Sequence, residues 1–445
     1  MRVTSLRRLI AAFLLALTLS VPGTALAQAM GGASTAAPGL VPTILQRPAE
    51  ALAQDAAEYA RQHQVALDEA IRRLLAQEES VAVTDEIRQT YAARLAGIAI
   101  EHAPEYRIVV LLTGADPVPD RVIRAGSMNV PILFRTGAAA TAAEIVDAVR
   151  LHAGEIRAQL PSAVGMGLDQ RTGEFVLMVR RADADRFGVP EIERRLKDGL
   201  GLPARVRVLD RADQNSAVEG GARVEGLDAV TGNRGYCTTG FVVTDGARTG
   251  IVTAAHCPDT VTYFDPAGGK TVLPFGGQWG WSFQDVQLHV SDLAQKPLFY
   301  SDTKKTAARP LTGARKRTST RAGDFVCHRG ERSGYSCADV ELVDYAPPGD
   351  LCGGPCAPVW VTVAGPSCGS GDSGGPVFTG GTAFGIVKGA SYDRRGRCNF
   401  YYYMSTDYLP DGWSLLTDQP QEGAPAQTAR VAAGAPRASG ISARR

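Results

Sequence analysis

The chain has 445 residues, nearly balanced charge at a formal +1, and 44% hydrophobic residues. That length can bury more than one core, so two domains with tails are expected. Near-neutral charge argues against a nucleic-acid-binding protein, and no segment after the first twenty-odd residues is long and apolar enough to span a membrane.

Arg7 and Arg8 precede an apolar run over residues 9–21, and Ala25-Leu26-Ala27 offers small residues for cleavage. Residues 1–27 therefore read as a secretory signal peptide. Residues 28–47, rich in Ala, Gly and Pro, read as a flexible lead. Over residues 49–75, Leu52, Tyr59, Leu67, Ile71 and Leu74 recur at helical spacing, and a second helix is expected over 85–100 with Thr84 as its cap. Strands are expected at 107–112 and 130–134. Thr141-Ala142-Ala143-Glu144 then forms a capping box that opens a helix toward Leu160. Strands at 175–180 and 204–209 flank a helix starting near Pro190, so this whole region is α+β. Residues 210–221 are polar and Gly-rich, as suits a linker cut during processing.

Chemistry enters with Thr253-Ala254-Ala255-His256-Cys257 and Gly371-Asp372-Ser373-Gly374-Gly375-Pro376. A serine hydroxyl is too weak an acid to attack an amide unaided, and His256 supplies the base it needs. Gly371 lets the backbone turn so that the Gly371 and Ser373 amides point at one spot, where an oxyanion is held. Small residues before His256 let its imidazole face a cleft, a setting that His289 and His328 lack. The orienting acid is expected at Asp285, because residues 281–290 read as a strand and a carboxylate inside one needs a partner. Asp259, Asp265 and Asp292 sit in turn-like surroundings.

The order His256, Asp285, Ser373 and both motifs resemble chymotrypsin-fold serine endopeptidases, in particular the secreted bacterial branch of α-lytic protease and the streptogrisins. The segments from Cys237 to Gly246, leading to His256-Cys257, and from Cys327 to Cys337 resemble that branch's opening β-hairpin and central disulfide loop. The resemblance covers about residues 218–411. It implies an all-β catalytic domain of two antiparallel six-stranded β-barrels at 218–417, preceded by an α+β pro-region at 28–217 that assists folding and inhibits. Such assistance makes physical sense, since long-range strand pairing is slow to form unaided. Val218 resembles the start of mature relatives, placing the cut just before it. Residues 418–445, with almost nothing to bury, read as a disordered tail.

All eight cysteines follow residue 236. In an exported chain they are expected to form disulfides, and sequence alone allows 105 connectivities. The resemblance implies Cys237 with Cys257, Cys327 with Cys337 and Cys368 with Cys398, leaving Cys352 and Cys356 to close a local loop. A zinc reading of Cys352 and Cys356 lacks a neighbouring pair to complete four ligands, so no metal is expected. No organic cofactor is required either.

Departures from the branch matter. Relatives usually carry an arginine after the central loop's first cysteine, pairing with the acid that here is Asp372; this chain has His328 and then Arg329, of which Arg329 is favoured because it stays charged. Lys388 falls where relatives commonly carry a serine beside the triad acid, at the edge of the substrate pocket formed with Ser367, Gly389 and Ala390. Trypsin-like enzymes hold an Asp six positions before the nucleophile. Here Ser367 or Pro366 stands there, so cleavage after uncharged residues is expected, with Asp393 the one nearby acid.

Residues 304–321 carry seven Lys/Arg and no acid, and read as a solvated loop between the barrels in preference to a site for an anionic substrate or envelope surface. The expected function is a secreted, extracellular or periplasmic serine endopeptidase, monomeric, acting on polypeptide substrates with its own pro-region as partner. Two rivals fit the same motifs. One is a catalytically inactive protease-fold binding protein, for which Lys388 is the best argument; the other is an esterase using the same site.

Overall fold

The computed structural model describes residues 44–160, 165–209, 214–215, 222–227, 234–264, 269–291 and 295–418. The expected signal peptide, the bond before Val218 and the tail past Asp418 lie outside these residues.

The stretch expected as one helix over 49–75 is two, Pro48–His63 and Leu67–Glu79. Pro48 suits a first turn, where a missing N–H costs nothing. The break falls at Gln64, whose φ of 54° is left-handed and ends the first helix. The helix expected over 85–100 also differs. The helix Val81–Thr90 stops early, and Leu95–Glu101 is a strand. That strand is buried along nearly its whole length, and Gly97 lies so close to the Gln170 carbonyl that a Cβ there has no room.

Two sheets organise the N-terminal region. One runs in the order Leu95–Glu101, Arg107–Thr113, Met128–Ala138, Arg121–Ala125; the other joins Gly165–Asp169, Glu174–Arg180 and Ala204–Leu209. The helix Ala142–Gln159 opens on the reciprocal cap: the Thr141 hydroxyl accepts from the Glu144 amide at 3.2 Å, and the Glu144 carboxylate accepts from the Thr141 amide at 2.7 Å. Ile145, Val149 and Ile156 from this helix, with Ile192 and Leu196 from Val189–Leu200, cover Phe175, Leu177 and Val179 of the second sheet. A short helix, Arg181–Phe187, precedes the one expected near Pro190.

The C-terminal region is β-rich. One sheet runs Phe275–Trp279, Val286–Ser291, Thr249–Thr253, Val242–Thr244, Ser414–Leu415, and a four-stranded sheet contains Arg234–Thr238, Arg223–Leu227, Val261–Phe264 and Lys270–Leu273. A third is built on Thr382–Tyr392, the long strand between Pro376–Thr379 and Cys398–Ser405. Disulfides join Cys237 to Cys257, Cys327 to Cys337, Cys352 to Cys356 and Cys368 to Cys398.

The two regions share a core. Ala56, Tyr59, Ala70 and Leu74 of the first two helices pack with Phe299, Phe325 and Phe378, and the Tyr59 and Phe325 rings meet edge-on at 5.0 Å. The basic stretch 304–321 is consequently not a solvated loop. Arg309, Arg315 and Arg321 are buried. Arg309 makes a two-pronged pair with Asp55 at 2.9 Å on each arm, while the Asp55 carboxylate also accepts from the Tyr335 hydroxyl and the Gly380 amide, each at 2.6 Å. Arg315 reaches Glu78 at 2.7 Å and Asp324 at 3.1 Å, and Arg321 reaches Asp324 at 2.9 Å. The stretch holds no acid of its own; the acids come from Asp324 and from helices more than two hundred residues away.

Candidate active site

His256 follows the strand Thr249–Thr253, where the chain turns through buried Ala254 and Ala255. Two bonds fix that turn. The Thr253 hydroxyl donates to the Thr238 carbonyl at 2.5 Å, and Cys257 is tied to Cys237. Gln278, on the strand Phe275–Trp279 two places along the same sheet, donates to the Ala255 carbonyl.

Asp285 stands one residue before the strand Val286–Ser291; the strand expected over 281–290 starts later, after a turn that leaves Trp281 and Phe283 exposed. Asp285 itself is buried. Its Oδ2 accepts from His256 Nδ1 at 2.9 Å, and its Oδ1 accepts from the His256 amide at 3.2 Å. Two contacts to one residue set both the ring's position and its tautomer, leaving Nε2 toward the serine. Burial alone would raise the Asp285 carboxyl, but the charges of His256 and Lys388 hold it at about 2.

Ser373 Oγ lies 2.8 Å from His256 Nε2. The loop carrying it is shaped by Gly371 and Gly374, whose φ values of 127° and 81° disfavour a side chain, and a Cβ on Gly374 would strike the Thr238 carbonyl. Asp372 pins the loop from behind: its carboxylate accepts from the amides of Gly369 at 2.7 Å, Ser333 at 3.0 Å and Arg332 at 3.1 Å. His328 Nε2 lies 3.9 Å from Asp372 and bonds the Ser333 hydroxyl at 2.9 Å, and burial pushes its imidazole down from the ordinary value. Arg329, favoured from sequence as the partner of Asp372, pairs with Glu331 at 2.8 Å.

Lys388 is not part of an open pocket wall. It is 1% exposed, and its Nζ reaches back to Asp285 Oδ2 at 3.3 Å. Gly389 and Ala390 follow on the same strand and pair antiparallel with Asn215 and Gln214, from the expected linker. Ser367 is half-buried beside Cys368. Asp393 is taken up in an exposed turn, where it accepts from the Arg395 and Arg397 amides and the Arg397 side chain. Ser373 is fully buried, while the His256 side chain beside it keeps 17% exposure.

A histidine in the turn after a strand, a buried acid and a glycine-shaped serine loop come together in an arrangement of the Ser-His-Asp type. No family model matches the chain. Among curated proteins it is similar to streptogrisin-D of Streptomyces griseus, 29% identical over 180 residues covering 38% of this chain and 42% of that one. Streptogrisin-C of the same organism is 28% identical over 206 residues, covering 44% of this chain and 39% of the relative. The chain thus spans about two fifths of the length of the curated relatives it matches. Among solved structures, Nocardiopsis protease is 21% identical, covering 45% of this chain and 99% of that one with a TM-score of 0.36. Thermobifida fusca protease A, also 21% identical, covers 45% and 98% with a TM-score of 0.35. The chain resembles the chymotrypsin-fold bacterial serine proteases of the streptogrisin and α-lytic branch.

Proposed function

We propose that this chain is a secreted serine endopeptidase made as a pre-pro-protein. The observation that carries the reading is His256, bonded through Nδ1 to Asp285 and through Nε2 to Ser373. His256 takes the Ser373 proton as Oγ attacks the peptide carbonyl; Asp285 stabilises the imidazolium; the Gly371 and Ser373 amides hold the oxyanion. His256 then protonates the leaving amine, and water repeats the sequence to release the acyl group.

In this reading the C-terminal strands form the two β-barrels of residues 218–417, and residues 28–217 are the pro-region. The pairing of Gln214 and Asn215 with Ala390 and Gly389 supports it, because a chain lying antiparallel on that strand is placed as a bound peptide would be. Four disulfides, and the lack of any helix among the described residues long and apolar enough to cross a membrane, are in keeping with export.

One observation favours a second reading, a protease-fold binding protein without turnover: the buried Lys388 on the triad acid. A fluorophosphonate probe decides between them. Labelling of the processed protein at Ser373, with hydrolysis of a peptide amide, is expected; no label on a folded, processed chain sinks the protease reading.

A further inference from the structure

Resting on that serine-protease reading, we propose that Lys388 is a built-in counter-cation of the triad carboxylate, a positioning residue that sets the pH range in which His256 serves as base. Lys388 touches both ends of the catalytic group. Its Nζ lies 3.3 Å from Asp285 Oδ2, and its backbone carbonyl accepts from Ser373 Oγ at 3.4 Å. The ammonium also sits 5.1 Å from the centre of the Trp360 ring, which is itself buried and anchored by its Nε1–H to the Ser282 carbonyl at 3.3 Å. A carboxylate on one side and an aromatic face on the other make a cage for a cation. Burial pushes the lysine down from its ordinary value, and Asp285 opposes that shift.

Few charged or titratable groups face this pair. His256 comes from the turn after Thr249–Thr253, Ser373 from the glycine loop, and the Tyr402 ring from Cys398–Ser405 stands 6.4 Å behind Trp360. Met404 of that same strand offers only sulfur, accepting from the Asp285 amide at 3.2 Å. Asp285 and Lys388 together are neutral. A proton arriving on His256 from solvent therefore makes the cluster net positive, in a setting where water screens little. With a neutral residue at 388 the same proton would meet an uncompensated carboxylate. The cation thus opposes proton uptake by the base and carries the acid limb of activity to lower pH. Protonation during turnover differs, since the proton comes from Ser373 and the oxyanion balances it.

The test is the pH profile of kcat/KM on a peptide amide, measured on protein expressed as the full chain and left to process. Lys388→Met is expected to move the acid limb up by about one pH unit, and Lys388→Arg, which keeps the charge, to restore it toward the wild type. Coincident acid limbs for wild type and Lys388→Met would overturn the proposal. A readout independent of turnover is the proton NMR titration of the His256 ring: its midpoint should rise in Lys388→Met, and an unmoved midpoint overturns the proposal too. If wild type neither labels nor hydrolyses while the His256 midpoint still shifts, the protease reading fails and the role of Lys388 stands. If Lys388→Met does not fold, wild type labelled with ¹⁵N-lysine serves instead. Its shielded Lys388 ammonium signal should move as His256 titrates, and a signal that stays fixed across that range counts against the coupling.

Discussion

The two regions of the molecule are held by opposite means. From Arg234 onward four disulfides staple the β-rich region, and its candidate site is closed by short bonds among residues of that region. The region from Ile44 to Leu209 has no cysteine. It is attached through helices that share an apolar core and through ion pairs, chiefly the buried Asp55 on Arg309 and the half-buried Glu78 on Arg315. Covalent staples persist in an oxidising exterior whatever the pH, whereas charge-based contacts answer to acid and to the loss of either partner. The contrast is what the proposed pro-region would need, one part lasting and the other released.

The sharpest way to break that contrast is to remove the group proposed to do the shedding. Ser373→Ala is expected to lower turnover by about 10⁶ and abolish fluorophosphonate labelling, with His256→Ala nearly as damaging because the two act as one unit. It should also leave the precursor uncut while all four disulfides still form. A Ser373→Ala chain that loses its N-terminal region in a host without other proteases would rule out self-processing.

Next in size is the buried charge between the regions. Asp55→Ala would leave the Arg309 guanidinium buried without its carboxylate and strip an acceptor from Tyr335 and Gly380. Breaking a fully buried pair from one side costs about 3–5 kcal/mol. In the uncut Ser373→Ala background this is expected as an earlier urea transition for the N-terminal region, with the disulfide-bonded region little affected. A transition within about 0.5 kcal/mol of the parent would mean that the shared apolar core, not the ion pair, holds the regions together.

The same pair marks the limit of what the sequence makes legible. The candidate site was readable because its chemistry needs particular residues at fixed local spacing: a glycine-flanked serine, and a histidine after small residues. Asp285 was within reach, since a lone acid beside an apolar strand needs a partner. Lys388 and Asp285 stand about a hundred residues apart; the family resemblance set the lysine beside the acid, but the 3.3 Å ion pair and the burial of Lys388 come only with the fold. Asp55 did leave a trace, because it falls on the helix face that also carries Leu52 and Tyr59, where a charge has no business without a partner. Nothing in the sequence says that the partner is Arg309, so the basic stretch looked solvated. The strand Leu95–Glu101 hid for another reason: buried on both faces, it lacks the alternation that betrays a half-exposed strand.

A smaller effect tests whether the attachment responds to acid. His102 accepts from the Tyr59 hydroxyl at Nδ1, 2.6 Å, and donates from Nε2 to the Gly323 carbonyl at 2.8 Å, so the neutral ring is satisfied across the boundary. Burial lowers its pKa from the ordinary value, with Asp339 opposing. A lowered value means that the joined state binds fewer protons than the separated one. Attachment is therefore full above the ordinary histidine range and weakens as pH falls through it, by up to about tenfold per unit below about pH 6.5. Dissociation of the cut N-terminal region, followed against pH, checks this; His102→Gln should flatten the curve, and an unchanged slope would assign the response elsewhere.

The smallest effect is expected where an ion pair of the same chemistry keeps its arginine in water. Arg397 and Asp393 stand 2.6 Å apart with the arginine side chain 73% exposed, against 0% for both partners of Asp55 and Arg309. Exposed pairs exchange one set of solvent contacts for another and contribute little. Arg397→Ala should accordingly leave folding and peptide hydrolysis within about twofold of the parent. The substitution also probes specificity. Asp393 is the one acid expected near the pocket that could draw a basic side chain, and the turn now holds it through two backbone amides besides Arg397. Those amides remain in the variant, so a peptide-library profile should stay weighted to uncharged residues at the cleaved position. A profile dominated by Lys and Arg in the parent would show that Asp393 faces substrate despite its turn, and one that appears only in Arg397→Ala would show that the exposed pair had been masking it.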